Sequence, residues 1–376
     1  MKIAILGAGM VGRTIAMDLC KKYQVTSFDV SEQSLSLLST KAPTVNTIKT
    51  DLSNYNNYNA LLSDFDFVVT AVPGFMGYNT LLAVIKAKKN VADISFFPED
   101  AQLLHQIAID NNVTAIVDCG VAPGMSNYIL GYYNSKMSVY NFECLVGGLP
   151  INRTKPFEYK APFSPIDVIE EYTRPARIMV NGAIVTRDAL SDSELVDFEN
   201  IGTLESFNTD GLRSILFTMG HIPNMKEKTL RYPGHIDLIK ALQKGGFFDS
   251  KPINCNGITI SPIEFSSAIL IDQWKSKPND EEFTVMKIKV EGTTSDGTNQ
   301  TIVYDLFDRN DPVQQISSMS RTTGFTCTAT LELIINQLFT RKGVFPPELV
   351  GSDEHCFNYL MNYLEERGVH YKKTIN

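Results

Sequence analysis

Apolar and polar positions along the 376-residue chain follow two different rhythms. From residue 2 to about 118, short β-branched runs alternate with stretches whose apolar residues repeat at helical spacing. The runs predict strands over 2–6, 24–29, 45–50, 67–71, 90–94 and 113–118, each near the usual strand length. Between them Val11, Ile15 and Leu19 fall on one helix face, as do Leu81 with Ile85 and Leu103 with Ile107. Pro98 is expected to open the helix before the sixth strand, where its missing N–H costs nothing. Six β-α repeats with short connections predict an α/β fold: a Rossmann-type, doubly wound parallel sheet covered on both faces.

After Pro123-Gly124 the rhythm changes. One helical stretch is followed by strand-like runs over 141–147, 177–185, 284–292 and 301–306, with longer and less regular connections. Near Ser317 the pattern turns helical again, with helices expected over 328–339 and, after Pro346-Pro347, over 354–365. A chain of this length suits two domains. The expected division is a nucleotide-binding domain over 1–124, completed by helices from 318–376, with an inserted α+β substrate and dimerisation domain over 125–317.

Lys plus Arg number 34 and Asp plus Glu 42, a net charge of -8, which argues against nucleic acid as the partner and leaves small charged metabolites open. The opening MKIAILGAG lacks the length and flanks of a signal peptide, and no apolar run is long enough for a membrane helix. A soluble, cytoplasmic protein without membrane contact is expected. The six cysteines lie far apart, without C-x-x-C or zinc-type spacing, so reduced thiols and no metal are expected.

Chemistry concentrates first at Gly7-Ala8-Gly9-Met10-Val11-Gly12, a G-x-G-x-x-G between the first strand and the first helix. Gly7 permits the tight turn, Gly9 lets a pyrophosphate approach the backbone, and Gly12 allows the helix to pack on the strand. Unpaired N–H groups at the helix start then meet the phosphates. A glycine turn after a strand also has a purely structural reading, and Asp29 supplies the missing half. It ends the second strand about twenty residues beyond Gly7, where a carboxylate accepts the ribose hydroxyls and repels a 2′-phosphate. Val30 and Ser31 follow, with no arginine to favour NADP, so NAD is the expected cofactor. The alternative for Asp29 is a helix cap, a task for which Ser31 is equally placed. Asp51, Val72, Pro73, Gly74, Asp93 and Ser95 lie at further strand ends, where ligands of open α/β sheets bind, although each also suits an ordinary turn.

The segment 118–127 (DCGVAPGMSN), with 146–150 (VGGLP) downstream, resembles the saccharopine dehydrogenase-like family and within it the L-lysine 6-dehydrogenases. The resemblance continues through 164–165 (SP), 170–177 (EEYTRPAR), 210–214 (DGLRS), 231–235 (RYPGH) and 318–325 (SMSRTTGF), and so spans nearly the whole chain. Most of these blocks lie where a generic nucleotide-binding fold gives no likeness. The resemblance implies a Rossmann domain with Gly120, Pro123 and Gly124 near the cofactor, an inserted domain that also pairs subunits into a homodimer or larger homo-oligomer, and NAD-linked oxidation of a primary amine. In the lysine enzymes the aldehyde product closes onto the α-amine to give a piperideine carboxylate. The chain is shorter than typical saccharopine-forming enzymes, which weakens that neighbouring reading.

Arg174, Arg213 and Arg231 sit among Gly, Pro and Tyr, and a guanidinium fork matches a substrate carboxylate bidentately. Arg213 is the first choice and Tyr172 a neighbouring substrate contact; the alternative is that each arginine pairs internally with Asp210, Glu170 or Glu171. A lysine ammonium has a pKa near about 10.4, so it must lose a proton before hydride can leave its carbon. Candidate bases are Asp93, Glu171, Asp210 and His235, the last being the one histidine of five inside a family block. A packed or surface histidine is the simpler reading of His235.

Two rival readings remain. One keeps the fold and changes the reaction to a saccharopine- or carboxynorspermidine-type reductive condensation with NAD(P)H. The other is a non-catalytic NAD-binding sensor. The substrate partner in the enzyme readings is a small amino acid or diamine.

Overall fold

A computed structural model describes residues 1–161, 165–199, 201–277 and 280–376; Ser164 of the 164–165 block lies outside them. The chain divides into two compact units. The first comprises Met1–Val139, Gly292–Gln300 and Met319–Tyr371. Its strands β1 (Lys2–Leu6), β2 (Gln24–Asp29), β3 (Asn46–Lys49), β4 (Phe67–Thr70), β5 (Asn90–Asp93) and β6 (Thr114–Ile116) are parallel neighbours in the order β6-β5-β4-β1-β2-β3. Between these strands run α1 (Met10–Leu19), α2 (Glu32–Lys41), α3 (Tyr58–Leu61), α4 (Gly74–Lys86) and α5 (His105–Asp110), and α6 (Met125–Asn134) follows β6. Ile3, Ala4, Ile5 and Leu6 of β1 are all buried, as expected of a central parallel strand covered on both faces. The order reverses between β1 and β4, so the carboxyl ends of these strands flank the crevice where such folds bind ligands.

Several expectations are corrected in this unit. Pro98 does not open a helix: the helical turn begins at Ala101, and the Asp100 carboxylate caps it by accepting the Gln102 N–H at 2.9 Å. A seventh strand, Gly343–Phe345, pairs parallel with β6 through Gly343↔Thr114 to Phe345↔Ile116. Finally α6, read from sequence as part of the second domain, packs in the first unit, with Gly131 so close to Glu348 that a Cβ would lie 2.0 Å from the Glu348 carbonyl oxygen. The helix Ser318–Ile335 starts earlier and ends earlier than the expected 328–339. It is largely buried, and its threonines turn their hydroxyls inward: Thr326 donates to Thr322 O at 2.7 Å and Thr330 to Thr326 O at 2.8 Å.

The second unit comprises Tyr140–Glu291, Thr301–Ser318 and Lys372–Asn376. Its mixed sheet follows Glu194–Phe198, Gly202–Asn208, Asn224–Arg231, Met137–Pro150, Glu282–Thr294, Asn299–Arg309 and Tyr371–Ile375 in that order. The expected strand over 177–185 is instead a hairpin, Ala176–Val180 with Ala183–Arg187. Asn181 (φ 50°) and Gly182 (φ 79°) form its turn, both with the positive φ that tight hairpins require. Tyr172, Phe207, Ile236 and Trp274 form the centre of the hydrophobic core. Through it runs the strand Asn224–Arg231, which buries Glu227, Lys228 and Arg231. Among the described residues no helix is long and apolar enough to cross a membrane, and no disulfide forms.

Candidate functional site

At the end of β1 the chain turns sharply. Gly7 has φ 115°, its N–H donates to Phe28 O at 2.8 Å, and a Cβ there would lie 2.3 Å from Ala71 O. A Cβ on Gly12 would lie 2.2 Å from Gly7 O. These two glycines let helix and turn pack. Gly9 differs, because nothing lies within 4 Å of its Cβ position. It leads into α1, whose start carries no side-chain cap, with Met10 and Val11 half-buried behind it. Open space beside uncapped helix N–H groups is what a pyrophosphate needs.

Asp29 ends β2 next to this turn. Its Oδ2 accepts the Ala8 N–H at 2.6 Å and its Oδ1 accepts the Ser31 N–H at 2.7 Å. Each carboxylate oxygen retains acceptor capacity, so ribose hydroxyls can join these bonds. Val30 is exposed at the rim, and Ser31 caps α2 by accepting the Ser34 N–H at 3.2 Å. The glycine turn and Asp29 therefore fit a nicotinamide dinucleotide, which supplies a hydride acceptor or donor when bound.

The other strand-end residues divide. Asp51 is exposed and closes a local turn, accepting the N–H and hydroxyl of Ser53 at 2.9 and 2.7 Å, bonds that hold its pKa below the ordinary value. Val72 is buried and Pro73 exposed, at the start of α4. Asp93 is fully buried: Thr70 Oγ1 donates to its Oδ1 at 2.5 Å and the Ser95 N–H at 3.0 Å, while Oδ2 has no partner among the described residues. Burial raises this carboxyl to about 7, against the pull of the Thr70 and Ser95 bonds and with Asp118 adding to the rise. Asp93 and Ser95 thus present almost no accessible surface to a ligand. Gly120, Pro123 and Gly124 are likewise buried. Gly124 (φ 141°) would place a Cβ 1.8 Å from Gly120 O, so close backbone packing explains these glycines.

In the second unit, four of the predicted residues converge. Tyr172 and Glu171 come from the end of helix Pro165–Thr173, Arg231 from the end of strand Asn224–Arg231, and His235 from the start of helix His235–Lys244. Arg231 is 2% exposed. Its Nε donates to Tyr172 Oη at 2.9 Å, Nη1 to Leu230 O at 2.9 Å, and Nη2 to Tyr159 Oη at 3.3 Å and Glu171 Oε2 at 3.0 Å. Its guanidinium also lies 4.3 Å from the Tyr159 ring centre, at cation–π distance. His235 Nδ1 lies 2.9 Å from Phe157 O, which only accepts, so Nδ1 carries the proton. Nε2 then accepts from Tyr172 Oη at 2.9 Å. Burial, and then the charge of Arg231, push His235 down to about 3, so it is neutral at physiological pH. His235 is accordingly a packed histidine rather than a base, and Arg231 an internally engaged arginine.

The remaining predictions separate. Asp210 is held by Arg177, accepting from Nε at 2.9 Å and Nη2 at 2.8 Å, so this carboxylate is an ion-pair partner and not an available base. Arg174 pairs with Glu170 one turn away on the same stretch. Arg213 is half-buried with φ 46°, unusual for a side chain of its size. Sequence reading missed Arg13, whose Nη1 donates to Ala8 O at 3.0 Å, and Tyr159 beneath Arg231. Arg13 had a signal: it follows Gly12 directly on the helix that opens at the glycine turn. Among the described residues no group of three or more His, Cys, Asp or Glu is placed to hold a metal ion.

A doubly wound sheet with this glycine turn and acidic strand end defines a dinucleotide-binding domain. Residues 3–116 match the saccharopine dehydrogenase NADP binding domain and residues 120–369 the saccharopine dehydrogenase C-terminal domain. The chain belongs to the saccharopine dehydrogenase family. It is 25% identical over 222 residues to the alpha-aminoadipic semialdehyde synthase of Arabidopsis thaliana, covering 55% of this chain and 21% of that protein. To the mitochondrial alpha-aminoadipic semialdehyde synthase of Rattus norvegicus it is 22% identical over 265 residues, 66% of this chain and 28% of that one. The matched stretch thus spans 21% to 28% of these relatives' length. In fold it resembles the saccharopine dehydrogenase (L-Glu forming) of Saccharomyces cerevisiae, with a TM-score of 0.81 at 19% identity over 100% of this chain and 99% of that one. The homospermidine synthase of Legionella pneumophila, solved in complex with NAD, gives 0.69 at 12% identity over 100% and 91%.

Proposed function

We propose that this protein catalyses nicotinamide-linked oxidation at a carbon–nitrogen bond, specifically the NAD-dependent oxidative deamination of the terminal amine of L-lysine or a similar basic amino acid. The observation that carries the proposal is the polar cluster of Glu171, Tyr172, Arg231 and His235, built from two family blocks inside the second unit. In the balanced reaction an amine R–CH2–NH3+, water and NAD+ give R–CHO, NH4+, NADH and a proton. The semialdehyde then closes onto the α-amine to give a piperideine carboxylate.

Of the four candidate bases, Asp210 is held by Arg177 at 8% side-chain exposure, His235 has its Nε2 lone pair taken by Tyr172 and its proton affinity lowered by burial, and Asp93 is closed off from ligands. Glu171 is the one with an accessible carboxylate, at 23% side-chain exposure. Its place is fixed by Arg231, which acts as a positioning residue. We assign Glu171 to accept a proton from the substrate ammonium, and Arg213 to hold the α-carboxylate, its unusual φ being the kind of strain that persists at ligand sites. The acidic Asp29 supports NAD as the cofactor, and we place the enzyme in the cytoplasm as a homo-oligomer.

A saccharopine-type reductive condensation is the second reading, favoured by the names of the relatives. Incubation with NAD and L-lysine, or with NAD and saccharopine, separates the two. Ammonia release from lysine supports deamination, whereas glutamate release from saccharopine without turnover of lysine replaces it with the condensation chemistry.

A further inference from the structure

Before the helix Pro262–Trp274 the second unit puts out a hairpin, Ile253–Cys255 paired antiparallel with Ile258–Ile260. Asn256 (φ 51°) and Gly257 (φ 85°) form its turn, and the Gly257 N–H donates to Asn254 Oδ1 at 2.9 Å. The two strands make a sheet of their own, and every residue from Lys251 to Thr259 is exposed. The register sets Ile253 opposite Ile260 and Cys255 opposite Ile258, so these four side chains share one face while Asn254 and Thr259 take the other. A lone two-stranded hairpin is marginal in water, and this one leaves its apolar face in solvent, where burial contributes nothing.

The helix that follows is apolar on two sides. Leu270 and Trp274 are buried in the core of the unit, whereas Phe265 and Ile269, one turn apart, are exposed. Phe247 is exposed just before the hairpin, and the Asp249 carbonyl accepts the Ile263 N–H at 3.2 Å, which holds this run against the first turn of the helix. Phe247, Ile253, Ile258, Phe265 and Ile269 are each between 50% and 66% exposed. At that exposure they show solvent roughly 500 Å² of mainly apolar surface, at the upper end of what a monomer leaves in one patch. Since the hairpin face and the helix face are both open, neither covers the other within one chain.

Two such surfaces brought together bury about 1,000 Å², the area at which a specific interface begins, before rim contacts are added. Charge does not oppose the pairing. The chain carries a net charge of -8, yet around this patch Lys244 and Lys251 offset Asp249, Glu264 and Asp272, all exposed and none in an ion pair among the described residues. Charges of both signs on one rim let identical copies pair across a two-fold axis. We infer that this arm is a self-association surface, the apolar hairpin face of one protomer lying on Phe265 and Ile269 of its partner, and reciprocally. The inference rests on the homo-oligomer of the proposed function, whose interface it places, and uses nothing of the reaction assigned to Glu171.

Sedimentation of the full chain across a dilution series tests it. The unmodified protein should run as a dimer. Ile258→Asp and Phe265→Asp should each raise the dissociation constant by about tenfold or more, because each carries a charge into the covered face. Leu103→Asp, at an equally exposed apolar position of the first unit, should leave it unchanged. Ile258 and Phe265 are exposed in the single chain, so both variants should fold, and unshifted emission from Trp274, the sole tryptophan, shows that the helix carrying Phe265 stays packed. A dissociation constant within about twofold of the unmodified one in both variants, or an equal loss in Leu103→Asp, overturns the placement of the interface alone. An unmodified protein that stays monomeric at every concentration overturns the homo-oligomer as well.

Discussion

Asp29 accepts the Ala8 N–H at 2.6 Å, so the residue that meets the ribose is built into the turn that meets the pyrophosphate. A charged acceptor in such a bond contributes about 1.5–3 kcal/mol. Asp29→Ala should therefore weaken NADH binding by at least about tenfold, read by fluorescence titration. An unchanged NADH affinity would remove Asp29 from the site.

The three glycines of the turn should respond differently. A Cβ on Gly12 meets Gly7 O at 2.2 Å, so Gly12→Val should cost about 1–3 kcal/mol or more of stability and lose the cofactor with it. Gly9 has nothing within 4 Å, so Gly9→Val should keep its melting temperature and still bind NADH poorly. Thermal unfolding with and without NADH checks both, and equal melting losses in the two variants would contradict the assignment of Gly9 to the phosphates.

Arg231 holds the second-unit cluster together. Truncating one partner of a buried ion pair costs about 3–5 kcal/mol, so Arg231→Ala should be strongly destabilised in urea denaturation. Tyr172→Phe removes only the hydroxyl between Arg231 and His235 and should cost about 1–3 kcal/mol. A near-neutral Arg231→Ala would mean that the cluster does not organise the unit.

Two buried groups should tilt the pH dependence of stability in opposite directions. His235 falls from 6.5 to about 3 on folding, so between these values the unfolded chain binds more protons and stability drops as pH falls. Asp93 rises from 3.8 to about 7, so over that window the native state binds more protons and stability drops as pH rises. His235→Gln should remove the first slope. Asp93→Asn, which keeps an oxygen for Thr70 and Ser95, should remove the second and gain on the unmodified protein from pH 4 to 7. Urea denaturation across pH, compared variant by variant, reads both slopes.

Strands β1 and β2 follow from sequence to the residue, because β1 is an apolar run that stops at Gly7 and β2 a short run with the β-formers Val25, Thr26 and Phe28 that ends at Asp29, and the glycine turn follows with them. The strand Asn224–Arg231 does not, since it buries Glu227, Lys228 and Arg231, and a strand whose polar groups are satisfied inside the core has no hydrophobic rhythm. Lys228, for example, spends its charge on Asp192 O at 2.6 Å and Glu194 at 3.0 Å. The strand Gly343–Phe345 is too short to carry a period. The Asn181-Gly182 hairpin was legible in principle, its turn signal being masked by β-branched residues on both sides. At the candidate site the family blocks identified residues that meet, Glu171, Tyr172, Arg231 and His235, but not their protonation or their internal partners, which depend on burial. The proximity of Arg13 to Asp29 is a matter of tertiary contact, invisible to a search of the residues after β2.

The reaction itself is tested most directly by the stoichiometry of NADH and ammonia formed from L-lysine and NAD, followed as pH is raised toward the amine's pKa. The expected result is one ammonia per NADH, at a rate that rises with pH as more amine is free of its proton. An absence of lysine-dependent NADH, or NADH formed without ammonia, would contradict oxidative deamination.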